Sequence, residues 1–225
     1  QLSMPLIKML CSIFSMKWSR LPMKKFLSGH RMVCLCAADF ICFVRMHRLC
    51  SFFMDIMELF LWDGLGSFRF CRKNHINLLV VDERSHGKSA DQIITFGIRE
   101  CKDVKCWADY AAKRFPEKSL ILSGVSMGSA SVMMASVLSL PSSVKALICD
   151  CGYTAPAEII KEHTVFSSAG FFLLCLLHFG ARIFWHFNLS ESTALSAVKQ
   201  TKLPILFIHG DHDSIVPPKN VRRTL

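Results

Sequence analysis

The sequence predicts an α/β fold: a mostly parallel sheet with helices on both faces. Three observations carry that expectation. From residue 73 onward, short runs of branched apolar residues alternate with segments of helical period. The connections between them are short, which favours right-handed parallel crossovers and a sheet covered on both sides. One strand–helix junction also carries a G-x-S-x-G turn, Gly124-Val125-Ser126-Met127-Gly128.

Taken in order, residues 1–72 stand apart. They hold 6 of the 11 Cys, 8 of the 11 Met and 9 of the 18 Phe but only 3 of the 11 Gly, so turn punctuation between strands is missing. Residues 1–70 are therefore either early strands of the same sheet or an anomalous segment. Ile76–Asp82 is a branched apolar run suited to a buried strand. Gly97–Phe115 places Val104, Trp107, Ala108, Ala111 and Phe115 at three- and four-residue spacing, a helix ended by Pro116. Ser119–Ser123 reads as a strand, Ser126–Leu140 as a helix of small residues stopped by Pro141, and Val144–Asp150 as a third strand. An excursion follows from Gly152 to Lys202, too long for one crossover helix, with an apolar stretch over Val165–Phe187. It predicts a helical cap at about 153–200 over the carboxyl edge of the sheet. Pro204–His209 predicts a fourth buried strand, and the core spans 71–225.

Composition narrows the function. The chain has 225 residues, 52% hydrophobic and 20% charged, which is too apolar for a disordered segment and enough for a packed core. The net charge is +10, from 27 Lys and Arg against 17 Asp and Glu. No run of five basic residues occurs, so the excess reads as a solvated surface and no nucleic-acid partner is expected. The eleven cysteines form no C-x-x-C pair. Cys149 and Cys151 share a strand face and are expected to be buried apolar residues. Free thiols in this number suit a reducing compartment, hence the cytoplasm. The apolar runs Val33–Val44 and Leu49–Trp62 are broken by Asp39 and by Asp55 and Glu58, which argues against a spanning helix. Association of residues 1–62 with a membrane surface stands as an alternative expectation.

The chemistry centres on Ser126. In a strand–turn–helix junction the turn lifts the serine side chain to the end of the strand. Gly124 and Gly128 leave room for the close approach of strand and helix. The helix N-terminus directs unpaired N–H groups at the same point, where an oxyanion would develop, and the amide of Met127 is the predicted donor. Downstream, Leu203-Pro-Ile-Leu-Phe-Ile-His-Gly-Asp-His-Asp-Ser-Ile-Val-Pro217 ends a strand in a turn with two carboxylates. Asp213 is the candidate for orienting a histidine, and Asp211 the candidate for capping the turn. The same cluster lacks a partner group elsewhere that would complete a metal site, so neither a metal nor an organic cofactor is expected.

These segments, together with Val81-Asp-Glu-Arg-Ser-His-Gly-Lys-Ser89, resemble the α/β-hydrolase superfamily, most nearly bacterial serine hydrolases of the esterase, lipase and serine-aminopeptidase-like kind. The resemblance covers about residues 70–225. It implies that Ser126 is the nucleophile, that Asp213 is the triad acid, and that Asp82, Arg84, His86 and Ser89 fix a loop. It places Cys149-Asp150-Cys151-Gly152-Tyr153 at the entry to the cap. Two departures accompany it. The family's His-Gly motif, source of a second oxyanion donor, is missing from residues 35–55, where only the reversed pair Gly29-His30 lies nearby. The catalytic histidine is expected after the acid, but the twelve residues past Asp213 contain none, so it is expected beyond Leu225. His163, His178 and His186 precede the acid and read as ordinary cap histidines. The implied activity is cleavage of a carboxylic ester or amide through an acyl-enzyme, on a small molecule with an apolar group. The alternative is a catalytically incomplete fragment or a non-catalytic binding module on the same fold.

Overall fold

A computed structural model describes the backbone of five strands within residues 16–53, and residues 71–224 apart from 72, 75, 87, 88, 90 and 165–167. The strands are β1 (Met16–Leu21), β2 (Phe26–Ser28), β3 (Met32–Cys34), β4 (Ala38–Phe43) and β5 (Arg48–Phe53). They are followed by β6 (Asn77–Val81), α1 (Glu100–Arg114), β7 (Ser119–Val125), α2 (Met127–Ala135) and β8 (Val144–Asp150). The chain continues through α3 (Pro156–Thr164), α4 (Ser168–Phe184), α5 (Ala194–Gln200), β9 (Ile205–Ile208) and α6 (Lys219–Thr224).

Seven strands form one sheet in the order β1-β4-β6-β5-β7-β8-β9, and β2 and β3 pair as a separate hairpin. The β1–β4 and β4–β6 pairs are antiparallel, and every pair from β6 to β9 is parallel. The sheet thus takes β1, β4 and β5 from a region whose composition shows no strand punctuation. β5 stands between β6 and β7, two strands that come later in the chain. Among the described residues β1 is the outermost strand on one side, paired with β4.

The core follows from the periodicities. β6 is buried along its whole length, as expected of a strand covered on both faces. α1 turns Val104, Trp107, Ala108 and Ala111 inward, all at most 1% exposed. α2 is buried on every side, which its Gly, Ser, Ala and Met composition permits. It ends at Ala135 rather than continuing to Leu140: the Ser136 amide already bonds to the Met133 carbonyl in an i to i−3 pattern that closes the helix. β9 differs from the expected buried strand. Its residues alternate in exposure, with Leu206 at 56% and Ile208 at 46%. Among the described residues β9 is the outermost strand on the other side of the sheet, paired only with β8.

α5 packs against α2 beneath the sheet, whereas α3 and α4 pack on each other. α4 leaves Phe172, Leu176, Phe179 and Ile183 exposed along one stripe. Among the described residues, no helix is long and apolar enough to cross a membrane. The last helix is tied back to α3 and the turn before it: Asn220 Oδ1 accepts from the Thr154 amide at 3.3 Å, Lys219 pairs with Glu162 at 2.7 Å, and Arg223 with Glu158 at 2.8 Å.

Buried polar groups fasten the loop after β6. The Glu100 carboxylate, 1% exposed, accepts from the Thr95 amide at 2.8 Å and the Gly97 amide at 2.9 Å. Arg84 reaches Asp103 of α1 through two bonds, Nε to Oδ2 at 2.6 Å and Nη2 to Oδ1 at 2.7 Å. Both side chains are nearly buried. Arg84→Ala therefore strands the Asp103 carboxylate away from its cation, at a cost of about 3 kcal/mol. For a chain of this length that is a fall in Tm of roughly 10 °C, to be read by thermal unfolding. A Tm within about 2 °C of the parent counts against the pairing.

Candidate active site

The elbow is built by β7 and α2. Ser126 has φ 48° and ψ −110°, outside the regions open to L-residues without strain. The strain is held in place from both sides. The Ser126 amide donates to the Asp150 carbonyl at the end of β8 (2.9 Å), and its carbonyl accepts from the Ala130 amide (3.0 Å). A Cβ on Gly124 would lie 2.3 Å from the backbone carbon and oxygen of Gly128, so strand and helix meet here without room for a side chain. Met127 is fully buried, and its amide belongs to the first turn of α2, where N–H groups lack intrahelical acceptors. Among the described residues, no histidine is hydrogen-bonded to the Ser126 hydroxyl.

The acid turn follows β9. The Asp213 amide donates to the Gly210 carbonyl (3.2 Å), and Oδ1 of Asp213 accepts from the amides of Ile215 and Val216, both at 2.9 Å. The turn is thus capped by Asp213, not by Asp211, which is exposed. The physical reason is reach, since a carboxylate closes an Asx turn onto amides two and three residues ahead. Oδ2 is the oxygen these amides leave unclaimed. His209 Nε2 lies 3.7 Å from it but has a closer partner, the Val216 carbonyl at 2.7 Å. Burial pushes the Asp213 carboxyl up, but the Val216 and Ile215 amides, the Cys151 thiol and His209 together hold it below its ordinary value. Glu158 behaves alike: burial raises it, and Thr154 and Arg223 more than offset that. A carboxyl whose folded pKa is depressed contributes stability above its unfolded pKa and loses it as pH falls through the folded value. Unfolding is therefore expected to become easier below about pH 4. Asp213→Asn should flatten that acid limb in urea titrations at pH 3 to 7, and an unchanged limb removes Asp213 from the account.

Cys151 is a residue of this region that periodicity misses. Cys149 is buried as expected, but Cys151 is only partly so, because β8 ends at Asp150 and Cys151 turns off the strand at φ 49°. Its amide donates to the Ile208 carbonyl (2.9 Å) and its thiol to Asp150 Oδ1 (3.1 Å), with the Asp213 carboxylate also against the sulfur. Burial first, and then the Asp150 carboxylate, push the thiol up to about 12, so it stays protonated. The signal in the sequence was the Asp-Cys-Gly turn at a strand end.

The other expected residues sit close by in the chain. His86 Nδ1 is 2.7 Å from the Arg84 carbonyl, and the Ser89 hydroxyl donates to the Asp82 carbonyl at 2.6 Å. Of the histidines expected to be ordinary, His163 has Nε2 2.8 Å from the Ile215 carbonyl and so joins α3 to the acid turn. β5 runs parallel to β7 with Phe53 opposite Gly124, so the backbone leaving β5 departs at the level of the elbow. No His-Gly marks that point, and residues 54–70, like Gly29 and His30, lie outside the described residues.

No family model matches the chain. A curated relative, the uncharacterized protein YqkD of Bacillus subtilis, is 22% identical over 150 residues, 65% of this chain and 49% of that protein. The chain thus spans about half the length of that relative. Among solved structures, the Pyrococcus furiosus esterase Pf2001 superposes with a TM-score of 0.72 at 16% identity, over 95% of this chain and 79% of that one. Est1E from Butyrivibrio proteoclasticus gives 0.61 at 15% identity, over 84% and 79%. XC6422 from Xanthomonas campestris, described as an α/β serine hydrolase without a lid, gives 0.54 at 17% identity, over 92% and 77%.

Proposed function

We propose that this chain, which has the α/β-hydrolase fold, supplies the nucleophile of a serine hydrolase that cleaves a carboxylic ester or amide. The observation that carries the reading is the strained Ser126 at the junction of β7 and α2. Strain of this kind, held by hydrogen bonds on both sides, keeps the hydroxyl at a strand end instead of letting it relax into the helix. In the proposed reaction the Ser126 oxygen attacks the carbonyl carbon, and the Met127 amide donates to the oxyanion. An imidazole oriented by Asp213 Oδ2 takes the serine proton and returns it to the leaving group. Water then repeats the sequence on the acyl-enzyme. Esterases and serine hydrolases among the structural neighbours support the reading at the level of the fold.

The test is labelling by a fluorophosphonate probe, applied to the 225-residue chain and to the chain extended by any coding sequence past Leu225. Labelling abolished by Ser126→Ala supports the proposal. A folded extended chain that takes no label sinks it and leaves a binding module on the same fold.

A further inference from the structure

A cavity of about 720 Å³ lies between the loop at residues 92–96, helices α3 and α4, and the segment 185–189. Ile93 and Ile94 form one wall, Ile159 and Ile160 of α3 another, and Leu177 and Ala181 of α4 a third. Among the described residues the lining also includes Phe96, Trp185 and Phe187, and its polar non-aromatic side chains, Gln92 and His163, are both exposed and so lie at the rim. The volume is within the usual range of small-molecule sites. His163 stands where the cavity meets the acid turn, since its Nε2 is bonded to the carbonyl of Ile215, two residues from Asp213. The segment over the cavity is anchored from outside. Arg99 donates to the Trp185 carbonyl and stacks its guanidinium 5.6 Å from the centre of the Phe187 ring, and the Phe187 amide donates to Ala181.

We propose that this cavity is a binding site for a fatty-acyl chain whose polar end lies at the His163 rim. A ligand with polar groups at both ends would bury one of them among apolar side chains, aliphatic and aromatic, without a partner. The described lining therefore selects a molecule polar at one end only, with that end at the exposed rim, where His163 adjoins the acid turn. Calling the chain the acyl part of a substrate rests on the hydrolase reading; binding itself does not.

The experiment is equilibrium binding of cis-parinaric acid, a fluorescent C18 fatty acid, to the 225-residue protein, with displacement by saturated acids from octanoate to hexadecanoate and by phenylpropionate. Each methylene entering the cavity should tighten displacement about fourfold until the cavity is full. Ala181→Trp, which fills the cavity from a buried position, should weaken parinaric acid at least about tenfold. Leu177→Asp, at a more exposed wall position, should do the same if the first variant does not fold. Affinity independent of chain length, or unchanged in a folded variant, overturns the proposal, and phenylpropionate displacing better than dodecanoate overturns it in favour of an aryl ligand. Binding without fluorophosphonate labelling fails the hydrolase reading alone, and labelling without binding fails this one alone.

Discussion

Gly124→Ala is expected to destabilise the protein by more than about 4 kcal/mol, enough to abolish cooperative unfolding or soluble yield. The added Cβ would sit 2.3 Å from the carbon and oxygen of Gly128 and 2.6 Å from the amide nitrogen of Ser129. All three are backbone atoms, so no rotamer change relieves the contact. Strand β7 is paired on both sides, and α2 is buried along its whole length, so neither can move alone. If some of the variant folds, the elbow will have shifted, and a displacement of about 1 Å can cost roughly a hundredfold in rate. Urea denaturation and probe labelling read the two effects separately. A variant within about 1 kcal/mol of the parent would show that strand and helix do not meet as described.

Ser126→Gly is expected to have opposite effects on activity and stability. Labelling at the nucleophile disappears, and any turnover should fall roughly a millionfold if Ser126 acts as triad nucleophiles do elsewhere. Stability should rise instead. The backbone at φ 48° and ψ −110° costs a side-chain-bearing residue on the order of 1–3 kcal/mol, and glycine is free of that cost. Glycine's greater freedom in the unfolded chain offsets about 0.5–1 kcal/mol, leaving a net gain of about 1 kcal/mol. Ser126→Ala removes the hydroxyl but keeps the Cβ, so it should stay less stable than the glycine variant. Equal denaturation midpoints for the two would place the strain elsewhere.

How far the residues foretell this depends on whether the forces are local. Strands β6 to β8 are legible because Leu79, Val80, Val81, Leu122 and Leu147 lie in runs whose burial follows from their own composition. The Gly124–Gly128 turn is legible because close backbone approach demands glycine. β5 is not. It is a central strand, yet it reads Arg-Leu-Cys-Ser-Phe-Phe, with no Val or Ile, and its identity comes from neighbours on both sides. β4 hides in the same way, since Asp39 interrupts an apolar run but pairs in register with Val80. Cys151 escapes because its role depends on an acid turn that returns much later in the chain. The exposure of Leu206 and Ile208 escapes because composition does not tell an edge strand from a central one.

The position of β5 also has a consequence for how the sheet forms. Arg48 pairs with Ser119 and Leu49 with Leu120, so the β5–β7 pair joins strands further apart in sequence than any other pair of the sheet. Closing such contacts costs loop entropy before burial repays it, which makes folding slow. On a ribosome, β5 has neither parallel neighbour until residues 77–81 have emerged, and its second only after 119–125. Until then Phe52 and Phe53 belong to an open strand, available to another nascent chain. The step that gives β5 its second neighbour also brings the Ser126 elbow beside it. The elbow is held only once β8 has followed, since the Ser126 amide bonds to the Asp150 carbonyl, so Ser126 gains its geometry after the exposure of β5 has ended.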